Sequence, residues 1–332
     1  MELVAPIAVD AMGGDFAPRE IVAGARRAFD DGIPVLLVGR PDELGDVGDM
    51  PVLAASEVIA MDAEPGSSVR RLKDSSLVVA ARAVKEGRAS AMVSAGNTGA
   101  AMASALLKMG RLSGVGRPAI ATPIPRVGMQ PTVVLDAGAN ADCRPEWVVQ
   151  FGQMGAVFAR DRFGVANPRV ALLSIGEEAG KGNEFVKTVF ELMQAVDWAG
   201  TCGSTFIGNA EGRDIMADVA DVVVTDGFTG NIVLKTLEGG VKAVINALLA
   251  AFDTDEVSRA AAKDLMPALL PLYETFNPDT YGGAMLLGVN GVCVISHGST
   301  RATAMRNAIG VAAEMVQADV VSHLGAAVGS SG

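Results

Sequence analysis

A chain of 332 residues, half of them hydrophobic and a fifth charged, can bury a sizeable core as one large domain or two modest ones without disulfide support. Its net charge of -11 argues against nucleic acid and general attraction to anionic lipid, so any acidic partner needs a local basic patch. Cys143, Cys202 and Cys293 are odd in number and scattered, which fits a reduced, cytosolic protein and offers no zinc or disulfide framework. The opening residues lack a basic start followed by a long apolar stretch, and no apolar run reaches the roughly 18 residues of a membrane span, so neither a signal peptide nor a span is expected.

From the N-terminus, apolar runs predict strands over 3–9 and 33–38, separated by a helix over 18–30. Segment 40–62 has no clear period, being broken by Pro41, Gly45, Gly48 and Pro51. Next come a helix over 75–87, a strand over 90–94, a helix over 97–109, and strands over 119–124 and 132–136. A helix over 145–160, a strand over 169–174, a helix over 184–196 and strands over 204–207 and 221–225 follow. The helix over 228–252 carries one apolar stripe of Leu237, Val241, Val244, Ile245, Leu248 and Phe252. Gly239 and Gly240 within it cost about 1 kcal/mol each against alanine, which points to close approach of another backbone such as a partner subunit. The next stretch, "AAAKDLMPALLPLYETF", is apolar on more than one face and interrupted by Pro267 and Pro271, so residues 232–273 should form a projecting helical hairpin. A strand pair over 283–288 and 291–295 and a helix over 302–323 end the pattern. Alternating strands and helices predict one α/β domain over 1–332, with a mostly parallel sheet between helical layers in a three-layer αβα sandwich.

Loops rich in Gly, Asn, Asp, Ser and Thr follow the strands, and in a parallel sheet they should converge on one crevice. They hold Asp10, Gly13 and Gly14 in "DAMGGD"; Ser94, Gly96, Asn97 and Thr98 in "SAGNTGA"; and Asp136 and Asn140 in "DAGANADCRPE". Further along stand Lys181, Gly182 and Asn183 in "IGEEAGKGNE"; Asn209 and Arg213 in "IGNAEGRD"; Asp226, Thr229, Gly230 and Asn231 in "DGFTGN"; and His297 in "SHGST". Glycine admits a ligand close to the backbone, and helix N-termini turn N–H groups toward an anion. No G-x-G-x-x-G opens a helix, and "GEEAGKG" is one residue short of a P-loop and lacks the following Ser or Thr, so a small anion such as orthophosphate fits better than a nucleotide. Lys181, Arg213, Lys235 and Arg301 are the candidate cations. Acid–base groups are scarce, with His297 and His323 the only histidines. Cys143 near a helix start is a weak candidate for a covalent mechanism.

These loops, in this order, resemble the bacterial acyl-acyl-carrier-protein:phosphate acyltransferases of phospholipid synthesis, the PlsX family. The matching pieces include "AVDAMGGD", "KDSSLVVAARAVKEG", "LDAGANADCRPE", "IGEEAGKGNE", "FIGNAEGRDI", "DVVVTDGFTGNIVLKTLEG" and "YGGAMLLGVNGV", spread from residue 7 to about 310. The resemblance implies a phosphotransacetylase- and isopropylmalate-dehydrogenase-like fold, a homodimer in the cytoplasm with peripheral membrane contact, and no metal or organic cofactor. It also implies attack of orthophosphate on a long-chain acyl-carrier-protein thioester, the acyl phosphate then passing to a membrane glycerol-3-phosphate acyltransferase. Loop position, not the resemblance, makes Asn97, Thr98 or Asn231 candidate oxyanion donors and His297 or Lys181 candidates for protonating the departing thiolate. The rival readings are a phosphotransacetylase acting on a short acyl-CoA, an NAD-linked decarboxylating dehydrogenase and a non-enzymatic scaffold.

Two surfaces stand out. Arg70, Arg71, Lys73, Arg82, Lys85 and Arg88 outnumber Asp74 and Glu86 in "RRLKDSSLVVAARAVKEGR", a candidate dock for acidic acyl carrier protein. Leu265, Leu269 and Leu272 share one helical face beside Met266, Leu270 and Tyr273, a surface for either the dimer seam or lipid.

Overall fold

The structure, a computed structural model, describes residues 5–329. The chain opens with β1 (Ile7–Asp10), α1 (Arg19–Asp30), β2 (Val35–Gly39), β3 (Val52–Ala54), α2 (Pro65–Arg71), α3 (Ser76–Lys85) and β4 (Ala91–Ser94). It continues through α4 (Thr98–Lys108), β5 (Ala119–Ile124), β6 (Thr132–Leu135), α5 (Pro145–Phe163), β7 (Arg169–Leu173), α6 (Glu184–Gln194), α7 (Trp198–Cys202) and β8 (Thr205–Ala210). The last elements are β9 (Val222–Val224), α8 (Gly227–Phe252), α9 (Glu256–Phe276), β10 (Ala284–Leu287), β11 (Val292–Ile295), α10 (Ala302–Gln317) and α11 (Val320–Gly329).

Most elements fall where the apolar periods predict them, with the start of the first predicted strand lying partly outside the described residues. Differences have local causes. β3 and α2 lie in and just after the aperiodic 40–62 segment, and α2 starts on the Glu64 side chain, which accepts from Gly66 N and Ser67 N. The predicted 302–323 helix divides at Asp319, whose φ of 52° breaks α10 from α11. Its carboxylate accepts from Ser322 Oγ at 2.8 Å. α9 runs through Pro267 and Pro271 instead of breaking there; this helix is exposed along most of its length, Ala262 being its buried residue.

The strands form one 11-stranded sheet in the order β3-β2-β1-β4-β11-β10-β5-β6-β9-β7-β8. β3, β2, β1, β4 and β11 are mutually parallel, as are β6, β9, β7 and β8. Antiparallel pairings of β10 with β11 and β5, and of β5 with β6, reverse one half relative to the other. The loops therefore do not leave one parallel edge together, as a wholly parallel sheet would require.

On one face, α1, α5, α6, α7, α10 and α11 close a continuous core from Ile21 through Phe151 and Met154 to Val189 and Leu324. On the other face the core is divided. One part joins α3 and α4 to Met92, Ile120 and Leu286, and the other joins Ile124, Val134, Ala171 and Val223. Leu234 of α8 packs against both. Thr122 lies between Ile120 and Ile124 on β5, half-buried, with its hydroxyl unpartnered.

Arg126, 3% exposed, binds one end of the second half. Its guanidinium donates to Gln130 O, Ala217 O and Ala220 O, and to Asp221 Oδ1 at 3.3 Å. Arg169 donates to the same carboxylate through its backbone N and through Nε and Nη2. Burial alone would raise the Asp221 carboxyl, but hydrogen bonds and charge from Arg169, helped by Arg126, hold it below the usual carboxylate range. Asp221→Ala strands a buried guanidinium and should cost about 3–5 kcal/mol in urea denaturation at neutral pH. Because the folded-state value is depressed, this contribution is present above the unfolded value of about 4 and is lost as pH falls through the folded one. The gap between wild type and variant should therefore narrow below about pH 4.

Candidate active site

The glycine-rich loops group into three clusters. The first gathers behind β1, β4 and β11. Asp10 is fully buried and accepts from Ser94 Oγ at 2.7 Å and Met12 N at 3.3 Å. Burial pushes its carboxyl up, against hydrogen bonds from Ser76 and Ser94. Gly96 N donates to Ser94 Oγ at 2.9 Å, and a Cβ on Gly13 would meet the Gly96 backbone at 2.8 Å. Asn97 caps α4 by accepting from Ala100 N, and its amide donates to Met61 O at 2.8 Å and Ala63 O at 3.0 Å. Asp15 N donates to Gly298 O, and His297 Nδ1 pairs with Ser299 Oγ at 2.8 Å, both in the loop after β11. Gly14 belongs to this packing, and Thr98 is exposed at the start of α4.

The second cluster lies behind β6 and β9. Asp136 is fully buried, and its carboxylate accepts from Ile120 N, Gly138 N, Ala139 N, Asn140 N and Asn140 Nδ2. Burial raises this carboxyl too, against the bonds from the Ala139, Ile120 and Asn140 amides. Asn140 O accepts from Gly227 N, and a Cβ on Gly230 would collide with Asp136 O, so α8 starts directly on the end of β6. Asp226 caps α8, accepting from Thr229 N and Thr229 Oγ1 at 2.8 Å each. Asn231 is exposed beside Gly138.

The third cluster lies behind β7 and β8. Asn209 donates through Nδ2 to Glu178 O at 2.9 Å, tying the 175–183 loop down, while its Oδ1 and the Ser174 hydroxyl are buried without partners. Gly182 sits at φ 100°, where a Cβ would meet Val186 at 2.7 Å, so only glycine fits. Asn183 caps α6, accepting from Val186 N at 2.9 Å, so the first N–H groups of α6, which have no partner within the helix, follow Lys181 closely in the chain.

This geometry sorts the sequence candidates. Asn97, Asn209, Asp10 and Asp136 are buried structural members rather than exposed ligands, because their polar atoms are spent on neighbouring loops or enclosed beneath them. Arg213 is held by Glu177, Glu211 and Asp214, Lys235 by Glu238 at 2.8 Å, and Arg301 lies over the Phe16 ring at 4.2 Å. Lys181 is exposed and makes no ion pair among the described residues. His297 and Thr98 belong to the first cluster, and no hydrogen bond among the described residues joins that cluster to the Lys181 loop. Ile175, Phe228 and Ile232, which the loop pattern does not single out, expose apolar side chains beside the second and third clusters. No group of three or more His, Cys, Asp or Glu gathers as metal ligands would among the described residues, and no helix is long and apolar enough to cross a membrane.

Residues 5–323 match the family model described as "Fatty acid synthesis protein". The chain is 47% identical over 328 residues to a phosphate acyltransferase of Desulforudis audaxviator, covering 97% of this chain and 96% of that one. It is also 47% identical to a phosphate acyltransferase of Heliobacterium modesticaldum, with 96% of each chain covered. In fold it is similar to EutD phosphotransacetylase from Staphylococcus aureus, with a TM-score of 0.61, 14% identity and 94% of each chain covered.

The environment of Cys143 separates two chemistries. Its thiol is pushed up to about 11, by burial first and then by the charges of Asp136, Asp226 and Asp142. At pH 8 only about one thiol in a thousand is then thiolate, too few for a nucleophile. Cys143→Ser should keep more than about half of wild-type turnover, and alkylation of Cys143 by iodoacetamide should still be accelerating above about pH 9. A plateau near pH 7 would restore the covalent route.

Proposed function

Given that the chain belongs to the fatty acid synthesis protein family and is a phosphate acyltransferase, we propose that it moves a long-chain acyl group from acyl carrier protein to orthophosphate. Acyl phosphate and free carrier protein are the products, the former consumed in phosphatidic acid synthesis by a membrane glycerol-3-phosphate acyltransferase. The observation that carries this reading is the isolation of Lys181. Of the four candidate cations it alone has neither a carboxylate nor a ring partner among the described residues, and it stands in a glycine loop at the start of α6. Orthophosphate placed there meets a free ammonium and the first N–H groups of α6.

The reaction suits a site poor in histidine. Hydrogen phosphate attacks the thioester carbonyl carbon, the C–O bond forms and the C–S bond breaks. The proton of the phosphate passes to the thiolate, so the step needs no outside base or acid. Asn231, exposed beside Gly138, supplies a side-chain N–H for the tetrahedral oxyanion, a contact typically worth about 3–4 kcal/mol of barrier. Ile175, Phe228 and Ile232 offer the acyl chain an apolar bed at the same loops.

The test is to mix protein, acyl carrier protein loaded with a long acyl chain, and phosphate, then trap acyl phosphate as the hydroxamate. Lys181→Ala should raise the phosphate KM or cut turnover by roughly tenfold or more while Tm stays near wild type. Unchanged phosphate dependence would shift the role to one of the paired cations, and no hydroxamate from wild-type protein would end the acyl-transfer reading.

Assembly and membrane contact follow from α8 and α9 in this reading. A Cβ added at Gly239 or Gly240 would meet nothing within 4 Å, which supports a second copy of the chain packing on that face to form a homodimer. Along α9, Leu265, Leu270, Leu272 and Tyr273 are exposed, while Met266 and Leu269 are half-buried. That apolar strip would let a cytoplasmic protein deliver a lipid product at the membrane surface. Leu265→Glu combined with Leu272→Glu should abolish liposome co-sedimentation while leaving the dimer in gel filtration and turnover on soluble acyl carrier protein intact. A monomeric double variant would assign the strip to the subunit interface instead.

A further inference from the structure

In a chain of net charge -11, the surface leading into β5 is locally basic. Arg111, Arg117 and Arg144 are exposed, and none of the ion pairs among the described residues includes them. Arg117 and Arg144 both lie over the ring of Trp147, at 5.2 and 5.5 Å from its centroid. Arg111 donates to Gly116 O at 2.6 Å. A guanidinium held against an indole is fixed in place and keeps its charge, whereas one held by a carboxylate is neutralised. The platform is also braced from beneath. Gln150 of α5 accepts from Gly116 N at 2.7 Å and donates to Gly114 O at 2.9 Å, and a Cβ on Gly116 would meet Trp147 at 2.5 Å. Lys108 adds a further cation, and Asp142 and Glu146 are the flanking acids.

The α2–α3 stretch that the sequence singles out differs in position. Arg82 lies 4.0 Å from Asp74 and Arg88 is paired with Glu86 at 2.9 Å, while Arg70, Arg71, Lys73 and Lys85 are exposed and outside the ion pairs among the described residues. Its helix packs on β1, β2 and β4, and six strand steps separate β4 from β7, which leads into the Lys181 loop. From β5 to β7 there are three steps, about 14 Å along the sheet. The intervening loop is joined to the platform, since Asn140 Nδ2 donates to Pro118 O at 2.8 Å.

We propose that Arg111, Arg117 and Arg144, set around Trp147, form the docking surface for an acidic carrier protein whose flexible arm delivers the acyl group to the Lys181 loop. This rests on the function proposed above. Fixed, unneutralised arginines would steer an acidic partner against the net repulsion of the rest of the chain. The partner's arm, not its body, would then cross the short distance to the loops.

The experiment measures binding of acyl carrier protein by fluorescence anisotropy at about 50 and 300 mM salt, with turnover on a small soluble acyl thioester as control. Arg117→Glu combined with Arg144→Glu should weaken binding by roughly tenfold or more and flatten its salt dependence, with small-thioester turnover within about twofold of wild type. Arg111→Glu, which leaves the indole stack alone, should weaken binding in the same direction. Arg82→Glu with Lys85→Glu should leave binding unchanged. Carrier binding indifferent to all reversals around Trp147, or small-thioester turnover lost along with binding, overturns the docking surface. Absence of acyl phosphate from wild-type protein with either thioester overturns the proposed reaction instead, and the binding measurement still decides the docking surface.

Discussion

The Asp136 carboxylate organises the region where the two halves of the sheet meet. Enclosed beneath the loops, it accepts from Ile120 N on β5, from the Gly138, Ala139 and Asn140 amides, and from the Asn140 side chain. Burying a charge without such donors would be costly, so the loop is obliged to fold around it. Asn140, once fixed, reaches in two further directions. Its carbonyl receives Gly227 N and sets the start of α8, and its amide reaches Pro118 O at the foot of the arginine platform. One carboxylate thus relates the proposed docking surface, the loops and the first turn of α8. Asp10 performs a parallel task behind β1 and β4, with Ser94 and the Met12 amide as donors. Both acids serve the loops from inside, and neither needs to touch substrate.

Much of this was legible in the sequence as residue type. Loops such as "DAGANADCRPE" and "IGEEAGKGNE" announce themselves through glycine and amide content, and their place after apolar runs locates them at strand ends. What the sequence does not carry is which polar atom meets which partner. Asn97 reads as an oxyanion donor, yet its amide is spent on carbonyls of Met61 and Ala63, some 34 to 36 residues away. Arg213 reads as a free cation, yet Glu177 comes from a neighbouring loop to join Glu211 and Asp214 around it. Arg111, Arg117 and Arg144 are spread along the chain and form a patch only because Trp147 and Gln150 bring their segments together. Charge counted in a sequence window favours the α3 stretch, while nearness along the sheet to the Lys181 loop favours the surface around Trp147.

The fold shows the same division. Periodicity identifies strands and helices because it is a local property of the chain. Strand direction depends on connections across the sheet, and the net reversal made by three successive antiparallel pairings around β10 and β5 is invisible to a window of any length. That reversal matters for chemistry. Without it the loops would share one edge; with it they divide between two half-sheets. The divided core on the α4 and α8 face marks the seam, with Thr122 between its parts and Leu234 touching both.

A seam of this kind suits a reaction in which little proton transfer has to be managed. The sum of hydrogen phosphate and thioester equals acyl phosphate and thiol, so the attacking group brings the proton that the leaving group needs. On the function proposed above, the protein's part would be to hold an anion, an acyl chain and a carrier protein in register, which is a matter of position more than of acid–base strength. On that same proposal, a lone lysine at a helix start, unpaired where the other loop cations are spoken for, would be the anchor that such a reaction requires. Histidine scarcity, which first looks like an obstacle to catalysis, is what this chemistry permits.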